Sequence, residues 1–172
     1  MAVASRIAPC LWFDTQAEEA ARFYTGIFKN SRIHKTTRYS DAGIETHHKK
    51  PGSVLTVEFE LDGTRFTTLN GGPDFKFNEA VSLQIFCETQ DEIDYYWNKL
   101  TPGGDPKAQV CGWLKDKYGV SWQVVPNIMA ELIADENSPG AKRAMEAMMK
   151  MKKLDIEELR RAYEGEPVGA GR

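Results

Sequence analysis

Two short segments decide how this chain reads: Phe13-Asp14-Thr15-Gln16-Ala17-Glu18 and Cys87-Glu88-Thr89-Gln90-Asp91-Glu92. Both spell acidic-Thr-Gln-x-Glu, and Asp14 and Glu88 stand 74 residues apart. Each segment closes an apolar run of strand length, residues 7–13 in one case and 81–87 in the other. Each opens a stretch with apolar residues at helical spacing. In the first these are Ala17, Ala20, Ala21, Tyr24, Ile27 and Phe28; in the second, Ile93, Tyr96, Trp97 and Leu100. Thr-x-x-Glu at a helix start is a capping box. The spacing therefore predicts that Thr15 and Thr89 cap the first helical N–H groups, with Glu18 and Glu92 reaching back to the cap residue.

Outward from these motifs, strand patterns return. Residues 33–39, 54–60 and 64–69 read as strands, with Asp62-Gly63 as a hairpin turn between the last two. In the second half, residues 107–110, 113–117 and 120–125 read as short strands, with Gly119 turning the last pair. The repeated unit is thus strand, helix, three strands: βαβββ, used twice. Beyond it, Ser138-Pro139 has the form of a helix start. Asp155 is expected to cap a last short helix ending near Tyr163, and residues 165–172 are expected to fray.

The chain has 172 residues, the length of one domain with an appendage. Its 22 Lys+Arg against 25 Asp+Glu give a formal charge of −3, which argues against a nucleic-acid footprint. No apolar run approaches the ~20 residues that span a bilayer, so no membrane partner is expected. The N-terminal segment is too short and too interrupted to read as a secretory signal. Cys10, Cys87 and Cys111 lack Cys-x-x-Cys spacing and read as reduced thiols of a cytoplasmic protein.

Three further stretches carry a family resemblance: residues 10–24 (CLWFDTQAEEAARFY), 69–78 (LNGGPDFKFN) and 118–123 (YGVSWQ). Together with the tail 145–155 (MEAMMKMKKLD) they resemble the PhnB-like branch of the vicinal oxygen chelate superfamily. That group includes glyoxalase I, bleomycin-resistance proteins and extradiol dioxygenases. Its PhnB-like members often carry the label 3-demethylubiquinone-9 3-methyltransferase. The resemblance implies an α+β fold of two tandem βαβββ modules, the glyoxalase/bleomycin-resistance fold, with a C-terminal helical appendage. In this chain it implies a domain over 1–136, its modules at about 5–78 and 79–126, and helices with a disordered tail over 137–172.

The resemblance also implies a cleft between two sheets, lined by metal ligands from the first and fourth strand of each module. Counting through the repeat puts those positions at Ala8, Thr67, Ser82 and Gln123. Ala8 offers no donor atom, and the others offer neutral oxygens, whereas divalent ions take carboxylate, imidazole or thiolate. A slip of one residue substitutes Pro9 or Cys10, Thr68, Leu83, and Trp122 or Val124, of which Cys10 alone is a soft ligand. His34, His47 and His48 fall at none of these positions. The expectation is no metal and no cofactor. No Gly-x-Ser-x-Gly, Gly-x-x-x-x-Gly-Lys or Gly-x-Gly-x-x-Gly element is present.

What remains is a set of neutral polar groups among aromatic residues. Trp12, Phe66, Trp113 and Trp122 lie on predicted strands, where core packing is the competing reading. The ligand-binding expectation is Trp12, Thr67, Ser82, Gln84, Trp113 and Gln123, with no acid–base pair. The expected function is metal-free binding of a small molecule in the cleft. The alternative is an enzyme, either a metal-dependent glyoxalase or dioxygenase type or the methyltransferase of the family label. A homodimer is expected, with the Met-rich helix at its interface, because four of the six methionines fall within 145–151. The competing reading folds that helix over its own chain.

Overall fold

The computed structural model describes residues 6–167. They divide into two compact units that meet in sequence at Phe77 and Asn78.

The first unit runs β1 (Cys10–Phe13), α1 (Ala17–Ile27), β2 (Arg32–Arg38), a one-turn α2 (Ile44–His47), β3 (Val54–Leu61) and β4 (Thr64–Asn70). Its sheet has the order β1-β4-β3-β2, with β1 parallel to β4 and the other pairs antiparallel. Asp62 and Gly63 both adopt positive φ, 43° and 80°, the type I′ geometry the Asp-Gly pair favours. Alternation sends Leu11, Phe13, Val57, Phe59, Leu61 and Phe66 to a buried face. Helix α1 covers that face with Ala17, Ala20, Ala21, Tyr24 and Ile27, and Tyr24 stacks near Phe59.

The second unit repeats the opening: β5 (Leu83–Cys87), α3 (Gln90–Leu100), β6 (Trp113–Lys115) and β7 (Ser121–Pro126). Its sheet order is β5-β7-β6, again with the first and last strands parallel. The strand predicted over 107–110 does not form. Pro106–Ala108 make a 3-10 turn, capped by Asp105 Oδ1 accepting the Lys107 N–H at 2.9 Å. Proline fixes φ and removes a ladder donor, which explains the difference. A single bridge between Val110 and Trp113 is what remains of the pairing.

The capping prediction is met in one copy and corrected in the other. Thr89 caps α3, accepting the Glu92 N–H at 3.2 Å. Glu92 Oε2 in turn accepts from the Glu88 N–H at 2.8 Å, one residue ahead of the expected position. Thr15 caps nothing: the N-cap residue of α1 is Gln16, and its side chain makes no cap bond. The first N–H of α1, that of Ala17, instead donates to Asn70 Oδ1 at 2.8 Å.

The C-terminal elements are α4 (Met129–Leu132), α5 (Pro139–Met148) and α6 (Ile156–Glu164). Ser138 and Asp155 cap α5 and α6 as predicted. Met129, Leu132, Ala144, Leu154 and Leu159 form a buried cluster, with Met148 and Met151 packed against it. The segment before α6 is pinned to its own unit, the Cys111 and Gly112 N–H groups donating to Met151 and Lys152 O at 2.8 Å each. The tail therefore folds over its own chain while leaving Met145 and Met149 exposed. Gly165, at φ 84°, closes α6, and the end of the expected frayed tail, 168–172, lies outside the described residues.

Candidate functional site

Strand alternation gives each sheet a second face, turned away from its helix. In the second unit the helix-side face takes Ile85, Cys87, Leu114, Trp122 and Val124, all buried. The opposite face displays Ser82, Gln84 and Phe86 along the first strand, Gln123 on β7, and Trp113 and Lys115 on β6. Gln84 and Trp113 are the two cross-strand partners of Gln123, so the three form one row across the sheet.

Side-chain hydrogen bonds fix this row. Gln123 Nε2 donates to Ser82 Oγ at 2.7 Å, and Gln84 Nε2 donates to Gln123 Oε1 at 3.3 Å. The amide of Gln123 is thereby oriented at both ends. The Ser82 hydroxyl, having accepted, keeps its own proton to donate outward. Four of the six predicted site residues, Ser82, Gln84, Trp113 and Gln123, thus come together on one face.

The other two lie in the first unit. Trp12 is half-buried on β1, its indole N–H donating to Gly72 O at 2.8 Å and its ring meeting Phe75 edge-on at 4.9 Å. A Cβ on Gly71 would lie 2.1 Å from Trp12 Cζ2, so the backbone there passes directly over the indole. Thr67 sits opposite Cys10 on the same face as Trp12. Phe66 and Trp122 are buried beneath the helices, as the core-packing reading requires. A cavity of about 210 Å³ also opens beside the start of α1. It is lined by Asp14, Thr15, Glu18, Tyr39, Lys49 and Asn70, none of them a predicted site residue.

Asp116 is the residue that sequence reasoning missed. It is 2% exposed, and its carboxylate accepts from the Tyr118 and Val120 N–H groups at 2.8 and 3.1 Å and from Trp122 Nε1 at 2.9 Å. These bonds set the β6–β7 turn and the register of the row. The only local signal was Asp-x-x-Gly at 116–119, an Asx-turn pattern.

The superfamily's metal does not fit these residues. Gln84 and Gln123 are register partners in the second unit, as Cys10 and Thr67 are in the first. Of the positions the repeat picks out, Ala8 has no donor atom, Thr67 and Ser82 supply hydroxyls and Gln123 an amide. Desolvation raises the Cys10 thiol above its ordinary range. Burial, aided by the Glu92 charge, pushes the Cys87 thiol up to about 12. His34 pairs with Glu60 at 3.3 Å on β2 and β3, and His47 contacts Ala42 O in α2. Among the described residues, no group of three or more His, Cys, Asp and Glu side chains is placed to hold a metal.

Comparison with known proteins agrees with the repeated motif. The family model described as 3-demethylubiquinone-9 3-methyltransferase matches residues 5–125. A Bacillus cereus PhnB protein given that same description is 37% identical, covering 71% of this chain and 99% of its own, with a TM-score of 0.60. Protein PA1353 from Pseudomonas aeruginosa is 17% identical over 71% of this chain and 97% of its own, with a TM-score of 0.54, a likeness of fold. A glyoxylase/bleomycin resistance protein/dioxygenase domain from Frankia is 12% identical over 73% of this chain and 93% of its own, with a TM-score of 0.42. None of the curated proteins compared matches the chain. The repeated strand–helix opening, the family-model match over residues 5–125 and the 37% identity to a PhnB protein place the chain in the 3-demethylubiquinone-9 3-methyltransferase family.

Proposed function

We propose that the protein binds a small organic molecule without a metal, on the open face of its second sheet. The observation that carries this reading is the hydrogen-bonded line Gln84–Gln123–Ser82, with Trp113 beside Gln123. An aromatic wall with a few fixed neutral donors and acceptors suits a planar ligand held by orientation rather than by charge transfer to a metal. Trp12 and Thr67 offer the first sheet's counterpart, an indole and a hydroxyl on one face. Methyl transfer to a protonated acceptor, one form of the reaction the family description names, would be helped by an acid or base at the reacting atom. The row Ser82, Gln84, Trp113 and Gln123 supplies none.

The same reading has the protein working in the cytoplasm as a homodimer. Its three cysteines are free thiols, and Met145 on α5 and Met149 at its C-terminal end remain exposed where a second copy could cover them. Mass spectrometry of the purified protein under native conditions tests the binding reading. A bound small molecule should accompany the wild type and be lost from Gln123→Leu. Equal retention by both proteins would move the site elsewhere.

A further inference from the structure

We infer that Lys115, Ser121 and Ser82 form an anion-binding subsite on the open face of the second sheet, taking the carboxylate of a small aromatic acid. The inference rests on the proposed reading of that face and names the class of its ligand.

Ser121 is where the argument starts. It is 2% exposed, and among the described residues its Oγ is the buried side-chain polar atom without a hydrogen-bond partner. A buried hydroxyl left unpaired is destabilising, and an arriving acceptor removes that cost. Its cross-strand partner is Lys115, whose side chain is only 22% exposed. Ser82 precedes Leu83, the partner of Trp122, and so stands level with Ser121 on the other side. Lys115 and Ser121 thus pair across β6 and β7, and Ser82, one residue ahead of β5, is tied to the same row by Gln123.

The chain itself shows what this lysine accepts. The Glu79 carboxylate, three residues ahead of Ser82, pairs with Lys115 Nζ. Glu79 is largely exposed, and exposed pairs are worth little. It leaves Ser121 unsatisfied. A ligand carboxylate that accepts from both Lys115 and Ser121 makes a bond Glu79 does not, and so can displace it. Asp116, the other carboxylate nearby, is engaged by Tyr118, Val120 and Trp122 and does not compete.

The aromatic part follows from strand geometry. Trp113 lies two residues before Lys115 on the same face, about 7 Å along the strand. A ring attached to a carboxylate at Lys115 would extend toward that indole and the Gln84–Gln123 row.

Benzoate and its neutral isostere benzamide separate the two levels of this reading. Each is titrated into the 15N-labelled full chain while the Trp113 indole and Ser121 amide signals are followed. Benzoate should bind at least about tenfold more tightly than benzamide, as a charge-assisted pair requires. Lys115→Met should abolish that preference. Glu79→Gln, which keeps the lysine and removes its internal partner, should tighten benzoate about threefold and leave benzamide unchanged. Equal binding of the two probes, or a preference that survives Lys115→Met, overturns the subsite while leaving the face as a ligand surface. Failure of both probes to move Trp113 overturns the subsite and the reading of the face together.

Discussion

Asn70, the last residue of β4, caps a helix that begins 53 residues earlier. Its Oδ1 accepts the Ala17 N–H at 2.8 Å while its Nδ2 donates to Val54 O at 3.1 Å. The Tyr39 hydroxyl completes the joint by donating to Asn70 O at 2.7 Å. One side chain therefore ties α1 to the end of β4 and to β3. Asn70→Ala removes the cap and strands the buried Ala17 N–H, so it should destabilise the protein by about 2 kcal/mol in urea unfolding. Thr15→Ala, which removes no cap, should stay within ~0.5 kcal/mol, and Thr89→Ala should cost ~1 kcal/mol. Equal costs for the two threonines would contradict this assignment.

Gly71 is required by space. Any side chain there meets the Trp12 ring, which the Gly72 carbonyl already holds by its N–H. Gly71→Ala should displace the indole and cost about 1–3 kcal/mol, the usual range for overpacking. Thermal unfolding and the tryptophan fluorescence of the folded protein check it together. An unchanged Tm with an unchanged spectrum would show that the indole moves freely.

Much of the architecture was legible because its signals are local. Asp62-Gly63, Thr89, Ser138 and Asp155 each act within four residues of themselves, and each behaves as its sequence predicts. What was hidden acts at long range. The cap of α1 comes from Asn70, and the two copies of the repeated motif diverge at their glutamines. Gln16 Oε1 accepts the neighbouring Thr15 N–H. Gln90 instead holds the tail, donating to Leu154 O at 3.2 Å and accepting from Ile156 N–H at 2.9 Å. On the second sheet the repeat located Ser82 and Gln123, because the parallel pair β5–β7 keeps its register; Gln84 and Trp113 join them as the register partners of Gln123. Asp116 could not be located this way, because its role depends on Trp122 being turned toward it.

Acid should loosen the tail's attachment to α3. The Lys153 ammonium, aided by the Gln90 amide, holds the Asp94 carboxyl below its ordinary value. A carboxylate with a lowered folded-state value stabilises above its unfolded value, and that contribution fades as pH falls through the lowered one. The Tm difference between wild type and Lys153→Met should therefore be present at neutral pH and shrink below about pH 4. A difference that is constant into acid would mean that the pair contributes nothing.

Chelation should leave the protein unaltered. The inferred positions Ala8, Thr67, Ser82 and Gln123 carry no charged ligand, so EDTA should not shift Tm, and elemental analysis should find no stoichiometric transition metal. About one ion per chain, lost on Gln123→Ala, would refute that.

The central claim is that the row Gln84–Gln123–Trp113 receives a small molecule. The most direct measurement is a 15N spectrum of the side-chain amides and indoles, recorded while the protein is exposed to a small-metabolite extract. The account predicts that the Gln84 and Gln123 amide signals and the Trp113 indole signal shift together, and that Gln123→Ala removes the response. Binding that leaves these three signals in place, or that persists unchanged in Gln123→Ala, would contradict it.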